Sequence, residues 1–535
     1  MEETLKELKE EKERGRLYWF MRNSSRALWS WMKKHWILSI LIFLVFIYLG
    51  ITGRAIYQPF LLNLRKYFVL TIIVVVVIYW LMRIFFNSRI VGKLVSAIVL
   101  IAFVFMSVTL GQRVYEYLGL YIHYISLNKV ELTELPTTDH ERIHPLNSIQ
   151  TLARQEALSE TEEATRPMFI RRRDGSFDFS MSIGPSPEYP AQRLEKNMYR
   201  VISVSATTPA PDFSKKNQYD ANFDVGPFLL FSKNINTASI KSFNFFQFFN
   251  YEIGEPFFLE DNSGNWVQVV PLIRWKGVLI PRPVFGGVLV FHQIESTGIS
   301  RYLRRIFTGV GDFIPSNKIE SFSYLKGQHL LPIKVARFIA ESFRFQEGFF
   351  APMPGYHEGD IRIPDMPQDQ NEQPFFTYFN IPARGGILCS YFGLEPYQET
   401  KKGLNTSLII PGDSDNEVFF KDHSEQRDGL IGSSAVPSKV IESKKNYDWS
   451  KNHPAESRPY IKEIGGKNRF FWLNTVVTNM DDTGTDFIGG TIPDVTITDA
   501  KYGRVVWIEQ KNLTSQGQWK EQISEELNSI WEQRN

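Results

Sequence analysis

Three long apolar runs in the first quarter of the chain constrain its fold more than any other sequence feature. The runs cover Trp36 to Gly53, Tyr67 to Met82 and Leu94 to Gln112. An α-helix needs about 20 apolar residues to cross a bilayer, and lipid favours helices because they satisfy their own backbone hydrogen bonds. The runs therefore predict three membrane-spanning helices, at about residues 36–53, 67–86 and 94–112.

The segments beside these runs extend the predicted membrane region. Residues 114–127 combine tyrosines with Glu116 and His123, a mixture typical of the membrane interface, so we predict an interfacial helix there, with a fourth span as the alternative. The tail over residues 1–35 is predicted to be amphipathic and carries nine Lys and Arg residues before Trp36. Because basic residues resist translocation, the N-terminus is predicted to be cytoplasmic. The chain is thus predicted to be a multi-pass cell-membrane protein with an extracytoplasmic C-terminal domain.

The sequence after the apolar runs differs in its proline content and in the length of its apolar segments. With 535 residues the chain exceeds what one hydrophobic core usually organises, and all but one of its 28 prolines lie beyond residue 130. Short alternating segments between turn residues predict a mainly β structure. The predicted fold class is a multi-pass α-helical membrane segment followed by a large mainly-β (α+β) soluble region. The predicted divisions are a membrane segment 36–128, a polar connector 129–166, a β-rich domain 167–345, and a second β-rich portion 346–535 with long loops and a C-terminal helix.

Individual elements can also be predicted. Met168 to Ile183 gives the clearest strand signal, because Asp174-Gly175 is a hairpin turn and apolar residues alternate with polar ones after it. One face of that strand is predicted to be buried and the other solvated. Asp494 to Ile508 predicts a second hairpin. Helices are predicted at Ser148 to Glu163, Pro332 to Phe345 and Trp519 to Trp531. Further strands are predicted at Tyr199 to Ser205, Phe228 to Phe231, Trp266 to Trp275 and Gly286 to Ile294.

One segment matches a catalytic motif. His140-Glu141-x-x-His144 has the spacing of a zinc-peptidase helix, in which two imidazoles four positions apart bind the metal while the glutamate activates water. Pro145 disfavours a helix through His144, and both Arg142 and Pro145 depart from the pattern of zinc peptidases. We therefore predict no catalytic or metal-binding residue here. Zinc binding by His140 and His144, with Glu141 as the base, is the alternative.

Other candidate groups carry weaker signals. Oxygen-rich loops can hold calcium, but the acidic groups of this chain lack the loop pattern of an EF-hand and are predicted to be solvated turns. These groups are Asp413, Asp415 and Glu417, then Asp481, Asp482 and Asp486, with His357 to Asp360 as a similar cluster. Cys389 is the single cysteine, which excludes an intramolecular disulfide, and it is predicted to be a small buried hydrophobe.

The charge balance argues against nucleic acid as a partner. The chain has 60 Lys and Arg residues and 58 Asp and Glu residues, a formal net charge of +2, so it carries no sequence-wide electrostatic bias towards phosphate. Two short basic clusters are predicted to be solvated faces rather than phosphate sites. These clusters are Arg171, Arg172 and Arg173, and Arg301, Arg304 and Arg305.

No motif is strong enough to name a reaction. We hypothesise a membrane-anchored scaffold or binding protein of a membrane or envelope assembly, with the lipid bilayer and either other proteins or further copies of itself as partners, and with no cofactor. The 42 phenylalanines exceed what regular strand alternation would bury, so they are explained either by a surface that rests on a membrane or on other subunits, as this hypothesis requires, or by a large core. The alternatives are a membrane-tethered zinc metallopeptidase and a transport or channel subunit. The absence of charged residues inside the apolar runs disfavours the transport function.

Overall fold

The computed structural model describes residues 34–67, 72, 76, 111–208, 210–294, 298–366, 373–382, 384–398, 403–424, 429–478, 494–509 and 523–527. The chain divides into two compact units, residues 1–57 and residues 58–535. Each unit is described by itself.

The first apolar run forms a helix that matches the predicted bounds to one residue but is shorter than the usual length of a membrane span. Helix α1 covers Trp36–Thr52, which is 17 residues, and it ends at Gly53, whose backbone N–H donates to the Leu49 carbonyl. A separate and more polar helix, α2 (Arg54–Lys66), follows and contains Pro59.

Within the part of the chain that the structure describes, no helix combines the length and the apolar character needed to cross a bilayer. This finding contradicts the predicted multi-pass helical segment and the predicted multi-pass membrane localisation, which are therefore wrong. The physical reason lies at residue 53, where the helix stops before reaching the length of about 20 residues that a span requires. The predicted spans at 67–86 and 94–112 lie, apart from a few positions, outside the described residues, as does most of the basic tail.

The predicted interfacial helix is present, but its aromatic side chains contact protein. Residues 111–126 are helical and are labelled α3. The Tyr117 ring meets the rings of Phe345 and Phe349 edge-on, with centroids 4.9 and 5.2 Å apart. Tyr124 packs on Phe343 in the same manner, at 5.5 Å. The aromatic face that predicted a lipid interface is therefore covered by residues 343–349 of the same chain.

The unit from residue 58 onwards is built from short helices and many strands. The remaining α-helices are α4 (Leu146–Glu156), α5 (Pro190–Glu195), α6 (Ile235–Ser242), α7 (Ile299–Phe307), α8 (Ile333–Ser342) and α9 (Val436–Ser443). Short 3-10 helices cover Lys215–Asn217, Phe231–Lys233, Phe248–Asn250, Ser316–Ser321 and Phe343–Phe345. The strands are β1 (Asn128–Glu131), β2 (Thr138–Asp139), β3 (Glu162–Ala164), β4 (Met168–Arg171), β5 (Phe177–Pro185), β6 (Met198–Ser205), β7 (Gln218–Phe223), β8 (Tyr251–Ile253), β9 (Phe257–Glu260), β10 (Trp266–Lys276), β11 (Arg282–His292), β12 (Asp312–Ile314), β13 (Ile361–Arg362), β14 (Phe375–Ile381), β15 (Gly385–Pro396), β16 (Gly403–Leu404), β17 (Thr406–Pro411), β18 (Glu417–Asp422), β19 (Leu430–Ile431), β20 (Asn452–Ile464), β21 (Lys467–Thr478), β22 (Asp494–Asp499) and β23 (Val505–Glu509).

These strands form four larger sheets and one pair. One sheet runs β3-β5-β6-β7 with β4 on β5, and the next runs β12-β11-β10-β8 with β9 on β10. The largest sheet runs β1-β18-β17-β15-β14-β2 with β13 on β15, the last runs β20-β21-β22-β23, and β16 pairs with β19. Most neighbouring strands are antiparallel. β1, the first strand of the chain, instead pairs with β18 in parallel at one end of the largest sheet. The predicted β-rich character is confirmed.

Both predicted hairpins are confirmed. β4 and β5 pair across the turn at Gly175, which adopts a φ of +86°, a left-handed conformation that glycine reaches at little cost. β22 and β23 pair across the turn at Gly503, whose φ is +68°. The helix predicted over Pro332 to Phe345 corresponds to α8 and the 3-10 turn after it. The strand predicted at Phe228 to Phe231 is wrong, because these residues form turns around a short bridge at Gly226.

Strand β5 also differs from its sequence pattern. All nine residues of β5 are buried, including Asp178 and Ser180 on the face that was predicted to be solvated. The Ser180 hydroxyl donates to the Phe258 carbonyl of β9 at 2.7 Å, and the Ser203 hydroxyl donates to Asp178 at 2.8 Å. A second sheet thus covers the polar face, and hydrogen bonds offset the cost of its burial. One core cluster contains Val201, Val267 and Leu408, so residues on both sides of the predicted boundary at 345 pack together.

Candidate functional site

The segment with the zinc-peptidase spacing is not helical. Residues 140–145 form an irregular stretch between β2 and α4, and His140 adopts a φ of +50°, which is outside the helical region. Helix α4 begins only at Leu146, after Pro145 in an extended conformation. The shared helical face on which the zinc hypothesis depends is therefore missing.

The three motif side chains contact different parts of the protein. The His140 ring stacks on Phe177 with the centroids 4.3 Å apart. Glu141 is buried, accepts a hydrogen bond from Thr138 Oγ1 at 3.0 Å and pairs with Lys462 Nζ at 2.5 Å. Among the residues described here, no group of three or more His, Cys, Asp or Glu side chains is arranged to hold a metal ion.

His144 is held as a neutral side chain in the interior. It is 1% exposed, and its Nε2 lies 2.8 Å from the Thr208 carbonyl oxygen. Burial lowers the pKa of His144 to about 4, with a smaller contribution from the nearby charge of Arg458. At neutral pH the ring therefore donates a hydrogen bond without carrying a charge.

A buried ion cluster lies beside this histidine. Arg142 Nη1 is 2.6 Å from Glu456 Oε2, and Arg458 Nη1 is 3.4 Å from the same oxygen. The Arg458 guanidinium also donates to the Ile143 carbonyl at 3.1 Å and to Thr475 Oγ1 at 2.6 Å. The cluster therefore connects the irregular stretch after β2 to the β20–β21 hairpin, which supports a structural role for the motif segment.

The predicted acidic loop is also occupied by internal contacts. Arg384 Nη2 lies 3.3 Å from Asp413, and Arg384 Nη1 lies 3.9 Å from Glu417. Asp415 accepts the backbone N–H of Phe285 at 2.6 Å. Burial raises the pKa of both Asp413 and Asp415. The second acidic group, Asp481, Asp482 and Asp486, lies outside the described residues.

The His357 cluster acquires partners that the sequence did not reveal. His357 Nδ1 lies 2.8 Å from Asp360 Oδ2, and Arg344 Nη2 lies 3.3 Å from the same oxygen. The imidazole stacks on Tyr397 with the centroids 3.8 Å apart, and His357 lines a cavity of about 600 Å³. Cys389 is buried as predicted, and burial raises the pKa of its thiol well above the ordinary value.

The two basic clusters are not uniformly solvated. Arg172 is bound to Glu260 through two hydrogen bonds and donates to Tyr219 at 2.9 Å. Arg301 Nη2 and Arg305 Nη1 both reach the buried Asp224, at 2.8 and 3.2 Å. The prediction of solvated faces is therefore wrong for the arginines that bind these carboxylates.

Helix α7 consequently presents its apolar side to the outside. We call this face the α7 surface and define it by Ile299, Tyr302, Leu303 and Phe307, whose exposed fractions are 79%, 55%, 47% and 36%. These positions recur at intervals of three and four residues and so share one side of the helix. α7 packs beside α6 and the 3-10 turn at Phe231, which is itself 76% exposed. The periodicity was present in the sequence, but only the position of Asp224 decides which face turns inward.

Known proteins give no further guidance, since no family model, curated protein or solved structure matches this chain.

Proposed function

We propose that this protein is a binding and assembly protein that associates with a second copy of itself through the α7 surface. The observation that carries the proposal is the reversed orientation of α7, with charged side chains inward and large apolar side chains outward. Contiguous exposed apolar surface on a folded domain usually marks an interaction site.

The orientation of α7 is fixed by the ion pairs of Arg301 and Arg305 with Asp224. Asp224 is only 5% exposed and accepts hydrogen bonds from both Arg301 and Arg305. Burial would raise the pKa of Asp224, but the hydrogen bond from Arg301 and the charges of both arginines lower it overall. Rotating the helix to bury its apolar side would leave this carboxylate unpaired in the interior, which is costly.

The same orientation exposes large apolar side chains to water, which is unfavourable, and burial in an interface would remove this cost. Moving a large apolar side chain from water into a packed contact stabilises a complex by about 1.5–3 kcal/mol. Aromatic and arginine side chains, which are enriched where protein interfaces are strongest, both occur on α7. Transfer of the α7 surface into a contact is therefore favourable.

A second copy is the occupant that the charges favour. Arg301 and Arg305 are already paired, so Arg304 is the exposed cation of the helix. Asp312 lies near it: the pKa of Asp312 is lowered chiefly by a hydrogen bond with His292 and to a smaller extent by Arg304. A nearly neutral apolar face can meet its own copy across a two-fold axis without repulsion, whereas it offers little attraction to an anionic lipid surface.

Cysteine cross-linking tests this proposal on the full-length chain. Cys389 is buried, so the parent protein offers no reactive background thiol. A Leu303→Cys variant treated with a short bismaleimide is expected to form a covalent dimer. Phe350, which is 65% exposed, lies outside α7, so a Phe350→Cys variant is expected to pair in the same way without being cross-linked. Equal cross-linking of the two variants, or none in Leu303→Cys, contradicts the proposal.

A vesicle assay separates self-association from lipid binding. Ile299→Asp added to the Leu303→Cys variant is expected to abolish the covalent dimer, since it places a charge in the apolar contact. If the parent chain instead remains a monomer and co-sediments with anionic phospholipid vesicles through the same residues, a lipid surface is the occupant and the self-association proposal is overturned.

A further inference from the structure

A basic cavity of about 340 Å³ lies between the largest sheet and the β20–β21 hairpin. Its cationic residues are Lys421 from β18, Lys467 and Arg469 from β21, and Lys501 from the turn between β22 and β23. His423, one residue after β18 ends, also lines it. This volume suits a small molecule rather than a polymer.

Two acidic residues near the cavity accept hydrogen bonds from neutral groups. Asp499 Oδ1 accepts the backbone N–H groups of Lys501 and Tyr502, at 2.8 and 3.1 Å. Glu134 is the other acidic residue that lines the cavity, and it is exposed. Asp422, the remaining acid beside His423, accepts the Ser424 N–H at 2.8 Å and the Gln346 side-chain amide at 2.9 Å.

Two of the lysines have no counter-charge in the part of the chain that the structure describes. Neither Lys421 nor Lys467 has an acidic partner within 4.0 Å among the described residues. Four cationic and two acidic side chains line the cavity, so its local charge favours an anion.

A chain of hydrogen bonds runs from Tyr391 through Ser407 to His423. The buried Tyr391 hydroxyl lies 2.9 Å from Ser407 Oγ, which lies 3.0 Å from His423 Nε2. In one orientation of this chain Tyr391 donates to Ser407 and Ser407 donates to His423 Nε2, so that the neutral imidazole carries its hydrogen on Nδ1.

The Nδ1 atom of His423 has no hydrogen-bond partner in the described part of the chain. His423 is 4% exposed, and its Nδ1 is buried without a hydrogen-bond partner there. Burial, together with the charge of Lys421, lowers the pKa of His423 to about 4, so the ring stays neutral at physiological pH. In the orientation that places the hydrogen on Nδ1, this buried donor lacks an acceptor, which is unfavourable, and a ligand oxygen would satisfy it.

We infer that this cavity binds a small oxyanion, such as a phosphate or carboxylate group, which accepts a hydrogen bond from His423 Nδ1–H and is neutralised by Lys421 and Lys467. This site is separate from the α7 surface and does not depend on self-association.

Calorimetric titration of the full-length chain with inorganic phosphate and, separately, with malonate tests the inference. Binding of one anion per chain is expected, and the stronger of the two identifies the preferred oxyanion chemistry. The double variant Lys421→Gln/Lys467→Gln is expected to weaken binding by at least about tenfold, because it removes both unpaired charges. The control Lys445→Gln/Lys451→Gln makes the same change in net charge at exposed positions away from the cavity.

Two results would overturn the inference. One is that neither anion binds at millimolar concentration, and the other is that the double variant and its control bind equally. Selective ¹⁵N-histidine NMR gives an independent check, since the ligand-free His423 is expected to show its proton on Nδ1. A proton found on Nε2 would remove the donor on which the site depends.

Discussion

Arg142 Nη1 lies 2.6 Å from Glu456 Oε2, and these side chains are only 3% and 1% exposed. The two residues are 314 positions apart in the chain, and Arg458 contacts the same carboxylate. Glu456 Oε1 additionally accepts the N–H of Leu146, at 3.3 Å, where α4 begins. The pair therefore connects the segment between β2 and α4 to the sheet that β20 begins.

Removal of Arg142 should destabilise the fold strongly. An Arg142→Met substitution leaves Glu456 buried without its closest cation, and breaking a buried pair typically costs about 3–5 kcal/mol. The expected result is a loss of that size in the free energy of unfolding, measured by denaturant titration followed by tryptophan fluorescence.

An exposed ion pair provides the matched control. Arg154 contacts Glu163 at 2.7 Å, but the Arg154 side chain is 53% exposed. Arg154→Met is therefore expected to cost less than about 1 kcal/mol. Equal effects of the two substitutions would refute the structural role assigned to the buried pair.

The stability of the protein should fall in mildly acidic solution because of His144. Its pKa is about 4 in the folded chain and about 6.5 when unfolded, so the unfolded state takes up a proton first as the pH falls below 6.5. Between the folded and unfolded pKa values, one such histidine lowers the free energy of unfolding by about 1.4 kcal/mol for each unit that the pH falls. His144→Gln, which keeps a donor for Thr208, should reduce this slope by about one proton in urea titrations between pH 7 and about pH 4.

His292 serves as the comparison for this pH effect. It is partly exposed, and its hydrogen bond with Asp312 raises its pKa, so its contribution is present at low pH and is lost as the pH rises through the folded pKa. His292→Gln should therefore leave the acid-side slope intact. A slope that is unchanged in His144→Gln would show that this residue is not buried as a neutral imidazole.

Cys389 should be inert to thiol reagents in the folded protein. The side chain is 0% exposed, and burial raises its pKa, which suppresses the reactive thiolate. Titration with a disulfide reagent should therefore detect no thiol in buffer and one thiol per chain in denaturant. Rapid modification in buffer would contradict the packing of β15 and would also remove the clean background for cross-linking.

Chelation of metal should leave stability unchanged. Glu141 pairs with Lys462 and His144 faces the Thr208 carbonyl, so the geometry at the zinc-peptidase motif does not favour a metal. The unfolding midpoint is expected to be equal before and after dialysis against a strong chelator. Stoichiometric zinc that disappears in a His140→Ala variant would instead establish the alternative hypothesis.

Local patterns predicted local structure well. The turns at Gly175 and Gly503 require left-handed glycines, and the alternation around them specified both hairpins. The sequence also showed that Pro145 would oppose a helix through the zinc-peptidase motif, and α4 begins directly after it.

Long-range packing could not be predicted in the same way. Asp178 and Ser180 are polar residues in an alternating strand, and only the sheet that covers them shows that they are buried. The uncharged run located α1 to within one residue, but the run does not show how short a helix of 17 residues is for a membrane span. Likewise, Arg301 turns inward because Asp224 lies 77 positions earlier in the chain but close in space.

The mass of the full-length protein in solution tests the proposed self-association most directly. Sedimentation equilibrium of the parent chain should give twice the mass of one chain, and Leu303→Asp should give the mass of a single chain with an unchanged circular dichroism spectrum. A parent protein that stays at the mass of one chain at every concentration, or a Leu303→Asp variant that remains paired, would contradict the assignment of the α7 surface.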